Sequence, residues 1–206
     1  MINLDSLERR YRANLINSLG GFKSICLIGT KNNAGNENLA IFSSLVHIGA
    51  DPALCGFIVR PSIPPRNTLA NILETKFYTI NHIHESIINQ AHQTSAKYDD
   101  DISEFDAVGL HTVYKDDFFA PFVKESNIKF ACEFIQKIDI EINGTSLIIG
   151  KIIDIIVPNE IIENDGFINL DKAGTITGTG LDVYYSTIKI KRLTYAKPNT
   201  ISSIID

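Results

Sequence analysis

A hairpin signal in the second half of the chain constrains the fold more than any other feature. Ile138, Ile140 and Ile142 alternate with polar residues, Asn143-Gly144 follows, and a second apolar run covers Leu147–Val157. Asn-Gly between two such segments is the strongest short-range signal for a β-hairpin, because this pair suits the tight turn that joins antiparallel strands. The sequence therefore predicts two long antiparallel strands here.

Further strands are predicted before this hairpin. Phe22–Lys31 and Leu39–Ile48 are apolar segments that flank a turn at Asn32–Asn36, and Ala53–Arg60 follows them. Strands joined by turns rich in Asn and Gly form hairpins. Many strands, few long helices and no regular alternation of strand and helix favour a mainly β fold, a β-barrel with a few helices, over a doubly wound sheet.

Helices are expected at three places beside the strands. Apolar residues three and four positions apart predict an N-terminal helix at 4–18 and shorter helices at Thr68–Thr75 and Glu85–Gln93. After Pro158 we expect a partly helical excursion that returns to a last strand near Ser186–Leu193. We expect a single domain, 1–206, made of the N-terminal helix at 4–18, a barrel core at about 22–157 and a C-terminal extension at 158–206.

Composition makes several classes of protein improbable. The net charge is -5, whereas a nucleic-acid-binding protein should carry a basic excess. No apolar run approaches the roughly 20 residues that span a bilayer, and the N-terminus lacks the apolar core of a signal peptide. Cys26, Cys55 and Cys132 are odd in number and widely spaced. They are expected to be buried free thiols in a reducing compartment, so the cytoplasm is the expected location.

The motifs of several common enzyme classes are missing. No Gly-x-Gly-x-x-Gly follows a strand, no Gly-x-Ser-x-Gly is present, and the spacing from Gly144 to Gly150 does not fit a phosphate loop. His82 and His84 are two residues apart and could share a face of a strand. No further His or Cys nearby completes a ligand set, so no metal site is predicted.

The most informative segment is Arg60–Thr68, which joins a predicted strand to a helix start. A helix N-terminus offers unpaired N–H groups and partial positive charge, which favour a bound phosphate. Ser62 and Thr68 add hydroxyl groups, and Arg60 and Arg66 add forked, permanently charged donors. The pattern is compatible with a phosphate pocket, although a rigid connection with solvated arginines is the more common reason for such a loop.

Six segments follow one another in a fixed order along the chain: Asn36–Ser44, Asp51–Leu54, Arg60–Thr68, Asn71-Ile72, Gln90–Tyr98 and Ser103–Ala107. As an ordered set they resemble the flavin reductase family with the FMN-binding split barrel, in its flavoredoxin-like branch. The resemblance covers roughly residues 15–157, and Gly180–Tyr185 also resembles the branch. It implies the split-barrel fold, FMN as the cofactor and a homodimer.

The same resemblance implies a set of FMN contacts. Strand residues would line the ring and the ribityl chain, loop residues would hold the phosphate, and residues after the helix at Glu85–Gln93 would approach the flavin, from the same subunit or from the partner subunit. Tyr184 or Tyr185 is expected either to stack on the ring or to pack in the core or at a dimer interface, and His92 either to act in the site or to cap its helix. The implied contacts are Asn38, Leu39, Ala40, Phe42 and Ser43 on the strand, Arg60, Ser62, Arg66 and Thr68 at the phosphate, and Thr94, Ser95 and Ala96 after the helix.

The activity that the resemblance implies is reduction of flavin by NADH or NADPH. Electrons would then pass to free flavin, to a monooxygenase partner or to another electron acceptor. No acid–base residue is obligatory, since a hydride can move directly between stacked rings. Two alternatives remain open from the sequence: an FMN electron carrier without NAD(P)H activity, and a β-barrel that binds another phosphorylated ligand, such as a pyridoxal-type or haem-related compound.

Overall fold

Antiparallel strands dominate the computed structural model, which describes residues 2–62, 67–99 and 101–205. The strands are β1 (Lys23–Ser24), β2 (Cys26–Lys31), β3 (Glu37–Phe42), β4 (Val46–Ala50), β5 (Ala53–Val59), β6 (Phe77–His82), β7 (Thr112–Val113), β8 (Phe122–Val123), β9 (Lys129–Ile140), β10 (Thr145–Ile156), β11 (Thr177–Thr179), β12 (Val183–Tyr185), β13 (Arg192–Leu193) and β14 (Ile204–Ile205).

Helices are short by comparison. The α-helices of the described residues are α1 (Arg9–Leu19), α2 (Asn67–Thr75), α3 (Ile88–Gln93) and α4 (Glu104–Val108), with 3-10 turns at Leu4–Ser6, Glu85–Ile87 and Asn159–Ile161. The mainly β fold and the helices predicted around α2 and α3 are confirmed. None of these helices combines the length and the apolar character needed to cross a membrane.

One seven-stranded sheet organises the molecule, in the order β3-β2-β6-β9-β10-β5-β4. Every neighbouring pair is antiparallel. The two edge strands, β3 and β4, are consecutive in the chain, so the sheet brings its edges together at the corner 43–45. The Ser44 hydroxyl fixes this corner to β5, because it accepts a hydrogen bond from the Ile58 N–H at 3.0 Å.

The predicted hairpin is present as β9 and β10. Ile140 pairs with Thr145 across the turn, and Gly144 has a φ of 70°, which suits a glycine. The prediction of one strand over Leu39–Ile48 is wrong, because the chain turns at the corner 43–45 and continues as a separate strand, β4. The hairpin between β2 and β3 is confirmed, and the Asn32 side chain supports its turn by accepting the Asn36 N–H at 2.8 Å.

The core shows that the sheet curls. Successive residues of a strand face opposite sides, so Leu27 and Ile28 of β2 belong to different clusters. Leu27 packs with Phe105 and the residues of α3, whereas Ile28 packs with Phe57 of β5 and Ile148 of β10. Since β2 and β5 are separated by three strands in the sheet, this second cluster is the interior of a barrel.

The three cysteines are free and buried, which confirms that part of the prediction. Although they are far apart in the sequence, Cys55 and Cys132 place their sulfur atoms 3.8 Å apart in the barrel interior. Burial raises the pKa of the Cys26 thiol to about 12. A thiol of this kind packs as a small apolar side chain.

The first helix begins later than predicted. Leu4–Ser6 forms a separate 3-10 turn, and α1 begins at Arg9 because the Glu8 carboxylate accepts the N–H groups of Arg10 and Tyr11. No described residue of α1 is buried, and Leu19 is 76% exposed. The apolar residues that predicted this helix are therefore not buried in the core of a single chain.

The predicted last strand near Ser186–Leu193 is wrong for most of its length. Residues 186–191 have no regular secondary structure, and only Arg192–Leu193 forms a strand, which pairs with β14. The alternation of Ile188 and Ile190 with lysines suggested a strand. Both isoleucines are exposed, and the Lys189 N–H donates instead to the carboxylate of Asp171. The partly helical excursion after Pro158 is present as the 3-10 turn at Asn159–Ile161.

Candidate functional site

A cavity of about 480 Å³ lies beside the corner where β3 ends. Its walls are formed by α1, by the segment of β1 and β2, by the ends of β3 and β5, by Ser95 and by the β11–β12 turn. A volume of this size is within the range of small-molecule and cofactor sites. The lining residues are Asn17, Lys23, Ile25, Ile41, Phe42, Ser43, Ser44, Ile58, Val59, Arg60, Ser95, Gly180, Leu181 and Tyr184.

Apolar side chains form much of this wall. Ile25, Ile41, Ile58 and Leu181 contribute branched aliphatic groups. Phe42 contributes an aromatic ring that contacts Phe57 edge-on, with ring centroids 5.0 Å apart. Such a surface favours a largely apolar ligand, because van der Waals contact and loss of water both stabilise apolar groups there.

Two cations share the cavity. The Lys23 ammonium donates to the Gly180 carbonyl at 3.1 Å, and the Arg60 guanidinium donates to the Asn17 side-chain oxygen at 3.4 Å. Partial burial, and then the charge of Arg60, lower the pKa of Lys23. No carboxylate is among the described residues that line the cavity, so this end of it is electropositive.

Tyr184 lines the cavity and forms a hydrogen bond with His92, which does not line it. The Tyr184 hydroxyl and His92 Nδ1 are 2.7 Å apart, and the two rings meet edge-on with centroids 5.8 Å apart. Burial, and to a smaller degree Asp182, raise the pKa of Tyr184, so the phenol is neutral at ordinary pH. Tyr185 points elsewhere and packs edge-on against Phe22.

Four of the residues predicted to contact FMN meet at this cavity. Phe42 and Ser43 come from the end of β3, Arg60 follows β5, and Ser95 follows α3. They are distant in the sequence, and the antiparallel pairing of the sheet and the packing of α3 bring them together. Their contact with a flavin stays a prediction.

Two other predicted residues meet in a buried polar network at the start of α2. The Asn38 amide donates to the hydroxyls of Thr68 at 3.0 Å and Thr30 at 3.2 Å, and the Asn71 amide also donates to Thr30, at 3.1 Å. These side chains connect α2 to β2 and β3. They do not line the cavity, so any role in ligand binding would be to position the strand and the helix start.

The remaining strand residues are held by the backbone of β3. Leu39 is fully buried, and its N–H donates to the Glu104 carboxylate at 2.9 Å. Burial raises the pKa of Glu104. Ala40 pairs with Ile28 of β2.

The other predicted contacts are more dispersed. The Thr94 side chain is buried and donates to the Ala91 carbonyl at 2.8 Å, and Ala96 is exposed. Ser62 is half-buried on the segment after β5, and Arg66 lies outside the described residues. For all four, contact with FMN stays a prediction.

Sequence reasoning missed several residues of the wall, above all Lys23 and Asn17. Neither belongs to a local motif, since Asn17 is one polar residue in a helix and Lys23 lies in the two-residue strand β1, where it pairs with Gly178. They reach the cavity because β1 pairs with β11 and thereby places the β11–β12 turn beside the C-terminal end of α1. No spacing rule connects positions so far apart.

The histidines considered as metal ligands have other partners. His82 lines a second cavity of about 270 Å³ and contacts the Thr175 hydroxyl through Nδ1 at 3.2 Å, while burial lowers its pKa to about 4. His84 Nε2 is 2.8 Å from the Glu125 carbonyl oxygen. The described residues contain no group of three or more His, Cys, Asp or Glu side chains placed to hold a metal ion.

Comparison with known proteins gives one consistent family. The profile of the "Flavin reductase like domain" matches residues 22–177. A candidate flavin reductase with a split barrel domain from Shewanella frigidimarina NCIMB 400 is 51% identical, with a TM-score of 0.90, 94% of this chain covered and 96% of that one.

More distant structures share the fold. Nitrilotriacetate monooxygenase component B from Bacillus cereus is 20% identical, with a TM-score of 0.84, and the match covers 94% of this chain and 98% of that one. Flavoredoxin of Desulfovibrio vulgaris (Miyazaki F) is 19% identical, with a TM-score of 0.72, and the match covers 87% of this chain and 92% of that one. The architecture described above is therefore the split barrel that the sequence predicts.

Proposed function

The chain belongs to the flavin reductase-like family and is thus a flavin-related oxidoreductase, and from this premise we propose that it binds FMN and reduces it with NADH or NADPH. The observation that carries the proposal is the 480 Å³ cavity, which combines apolar walls with two cations at the corner of the barrel. Electrons would then pass from the reduced flavin to free flavin, to a monooxygenase partner or to another acceptor.

The chemistry of the cavity fits FMN. The flavin ring system is flat and largely apolar, which suits Ile41, Phe42 and Leu181, and its phosphate is an anion, which suits Arg60. The hydroxyls of Ser43 and Ser95 offer donors and acceptors to the polar edge of the ring or to the ribityl chain. A bound flavin would supply the two-electron chemistry that no side chain provides.

This chain's own residues would bind, orient and exclude water. The aliphatic wall removes solvent from the ring, and Tyr184, whose hydroxyl is held by His92, fixes one side of the cavity. Arg60 orients the ligand by holding its anionic end, and Asn17 restrains the guanidinium. No titratable side chain is assigned an acid or base role, because direct hydride transfer does not require one.

The spectrum of the purified protein tests this proposal. We expect a yellow protein, or one that becomes yellow after FMN is added and passed through a desalting column, and loss of the flavin absorbance on anaerobic mixing with NADH or NADPH. A protein that binds FMN but leaves it oxidised with both nucleotides is the second candidate, an electron carrier. A protein that stays colourless after FMN is added overturns the proposal.

A matched pair of variants locates the binding site. Arg60→Met should weaken FMN binding by about 1.5–3 kcal/mol, because a charge-assisted hydrogen bond is lost. Arg10→Met removes the same charge from an exposed position at the start of α1 and should leave the dissociation constant unchanged. If Arg60→Met binds FMN as tightly as Arg10→Met does, Arg60 does not contact the ligand.

We also propose that two copies of this chain form a dimer. The outer half of the β9–β10 hairpin exposes isoleucines that a single chain leaves in contact with water: Ile138 is 41% exposed, Ile140 37% and Ile142 94%. Contiguous exposed apolar surface of this kind marks an interaction site. Light scattering should give about twice the chain mass of 22.9 kDa for the wild type. The double variant Ile138→Lys/Ile140→Lys should have the mass of one chain. A monomeric wild type would contradict the dimer.

The cytoplasm stays our proposed location. It is supported by the three free and buried thiols, which are typical of a reducing compartment. No nucleic-acid partner is proposed, since the net charge is -5.

A further inference from the structure

Lys23 and Arg60 are placed together without an acidic partner. Lys23 precedes β2 at one end of the sheet and Arg60 follows β5, yet both line the same cavity. Neither takes part in an ion pair within the described part of the chain. The chain has more acidic than basic residues, so carboxylates are available to pair with cations. Two cations in one cavity without such a partner therefore indicate that an anion binds there.

Lys23 and Arg60 repel each other. Like charges repel, and Arg60 together with partial burial lowers the pKa of Lys23. The geometry nevertheless restrains both groups, since the Gly180 carbonyl binds the ammonium and the Asn17 side chain binds the guanidinium. An anion placed between them would relieve the repulsion.

Both cations keep donors for such an anion. An ammonium has three N–H donors and a guanidinium has five. One donor of Lys23 is used by Gly180 and one of Arg60 by Asn17. The remaining donors exceed what a single carboxylate accepts and suit the three terminal oxygens of a phosphate ester.

We propose that Lys23 and Arg60 form a phosphate-binding pair, so that the cavity selects nucleotides that carry a phosphate ester over the same compounds without one. This inference rests on the proposed function and extends it, because it assigns ligand selection to Lys23, a residue outside the loop Arg60–Thr68. The phosphate belongs either to FMN or to the pyridine nucleotide.

The experiment compares FMN with riboflavin, which differ only in the phosphate. Dissociation constants are measured by quenching of flavin fluorescence for the wild type, Lys23→Met, Lys23→Arg and the control Lys124→Met, which removes a charge from an exposed position outside the cavity. The KM for NADH and NADPH is measured in the same proteins with riboflavin as the electron acceptor.

If FMN supplies the phosphate, Lys23→Met should weaken FMN binding by tenfold or more and riboflavin binding by less than about twofold. Lys23→Arg should retain most of the preference for FMN, and Lys124→Met should match the wild type. Unchanged riboflavin binding also shows that the variant has folded with an intact cavity.

If the pyridine nucleotide supplies the phosphate, the group is the 2′-phosphate of NADPH, which NADH lacks. Lys23→Met should then leave the binding of both flavins unchanged and raise the KM for NADPH by tenfold or more, while the KM for NADH stays the same. The proposed phosphate-binding pair is overturned if neither the preference for FMN nor the KM for NADPH changes. A wild type that binds neither flavin overturns the proposed function itself, so the two failures are distinguishable.

Discussion

His82 should make the folded chain sensitive to mild acid. Burial lowers its pKa from 6.5 to about 4, so between these values the unfolded chain binds a proton that the folded chain does not. The free energy of unfolding therefore falls as the pH falls through this window. No carboxylate is among the described residues that line the cavity around His82, so no negative charge there would stabilise an imidazolium.

The size of the effect follows from the two pKa values. A difference of 2.5 units corresponds to about 3 kcal/mol when the proton is fully bound in the unfolded chain and absent from the folded one. The side chain is only half-buried, so solvent reduces this figure. We expect a loss of about 1–2 kcal/mol between about pH 7 and about pH 5.

Urea titrations at the two pH values measure this loss. His82→Asn removes the titrating group and keeps a polar side chain near Thr175, so its free energy of unfolding should change less with pH than that of the wild type. His47→Asn, at an exposed position of β4, is the control and should retain the full dependence. The reasoning is refuted if His82→Asn loses as much stability in acid as the wild type.

Two further substitutions test the core and the cavity wall. Gly150→Ala would place a methyl group against the hydroxyl and ring of the buried Tyr78, so urea titration should show that the free energy of unfolding falls by at least about 2 kcal/mol. Adding Tyr78→Phe to this variant should restore part of the loss. A Gly150→Ala variant as stable as the wild type would contradict this packing. His92→Ala removes the partner of the Tyr184 hydroxyl and should weaken FMN binding by about 0.5–1.5 kcal/mol in a fluorescence titration, whereas the same affinity in the variant would show that this hydrogen bond does not shape the cavity.

The parts of the fold that local patterns specify could be predicted from the sequence. The alternation before Asn143-Gly144 predicts the hairpin because strand residues alternate between two faces. Strand β6 was not predicted, since four consecutive residues, 78–81, are buried and no alternation results. Its polar residues are satisfied in the interior, as Asn81 accepts the Val123 N–H at 2.9 Å and Thr79 donates to the Pro121 carbonyl at 2.6 Å.

The site could be predicted only in part, and for a physical reason. Phe42, Ser43, Arg60 and Ser95 belong to segments whose order resembles the family, and they line the cavity. Lys23 reaches it through pairing of β1 with β11, which is a long-range contact that no local spacing reveals.

The structure of crystals soaked with FMN tests the central claim most directly. The account predicts the flavin ring against the apolar wall of the 480 Å³ cavity, beside Phe42 and Tyr184, with the phosphate within hydrogen-bond distance of Arg60. Density for FMN at any other place, or a cavity that stays empty at saturating FMN in crystals where it is open to solvent, would contradict it.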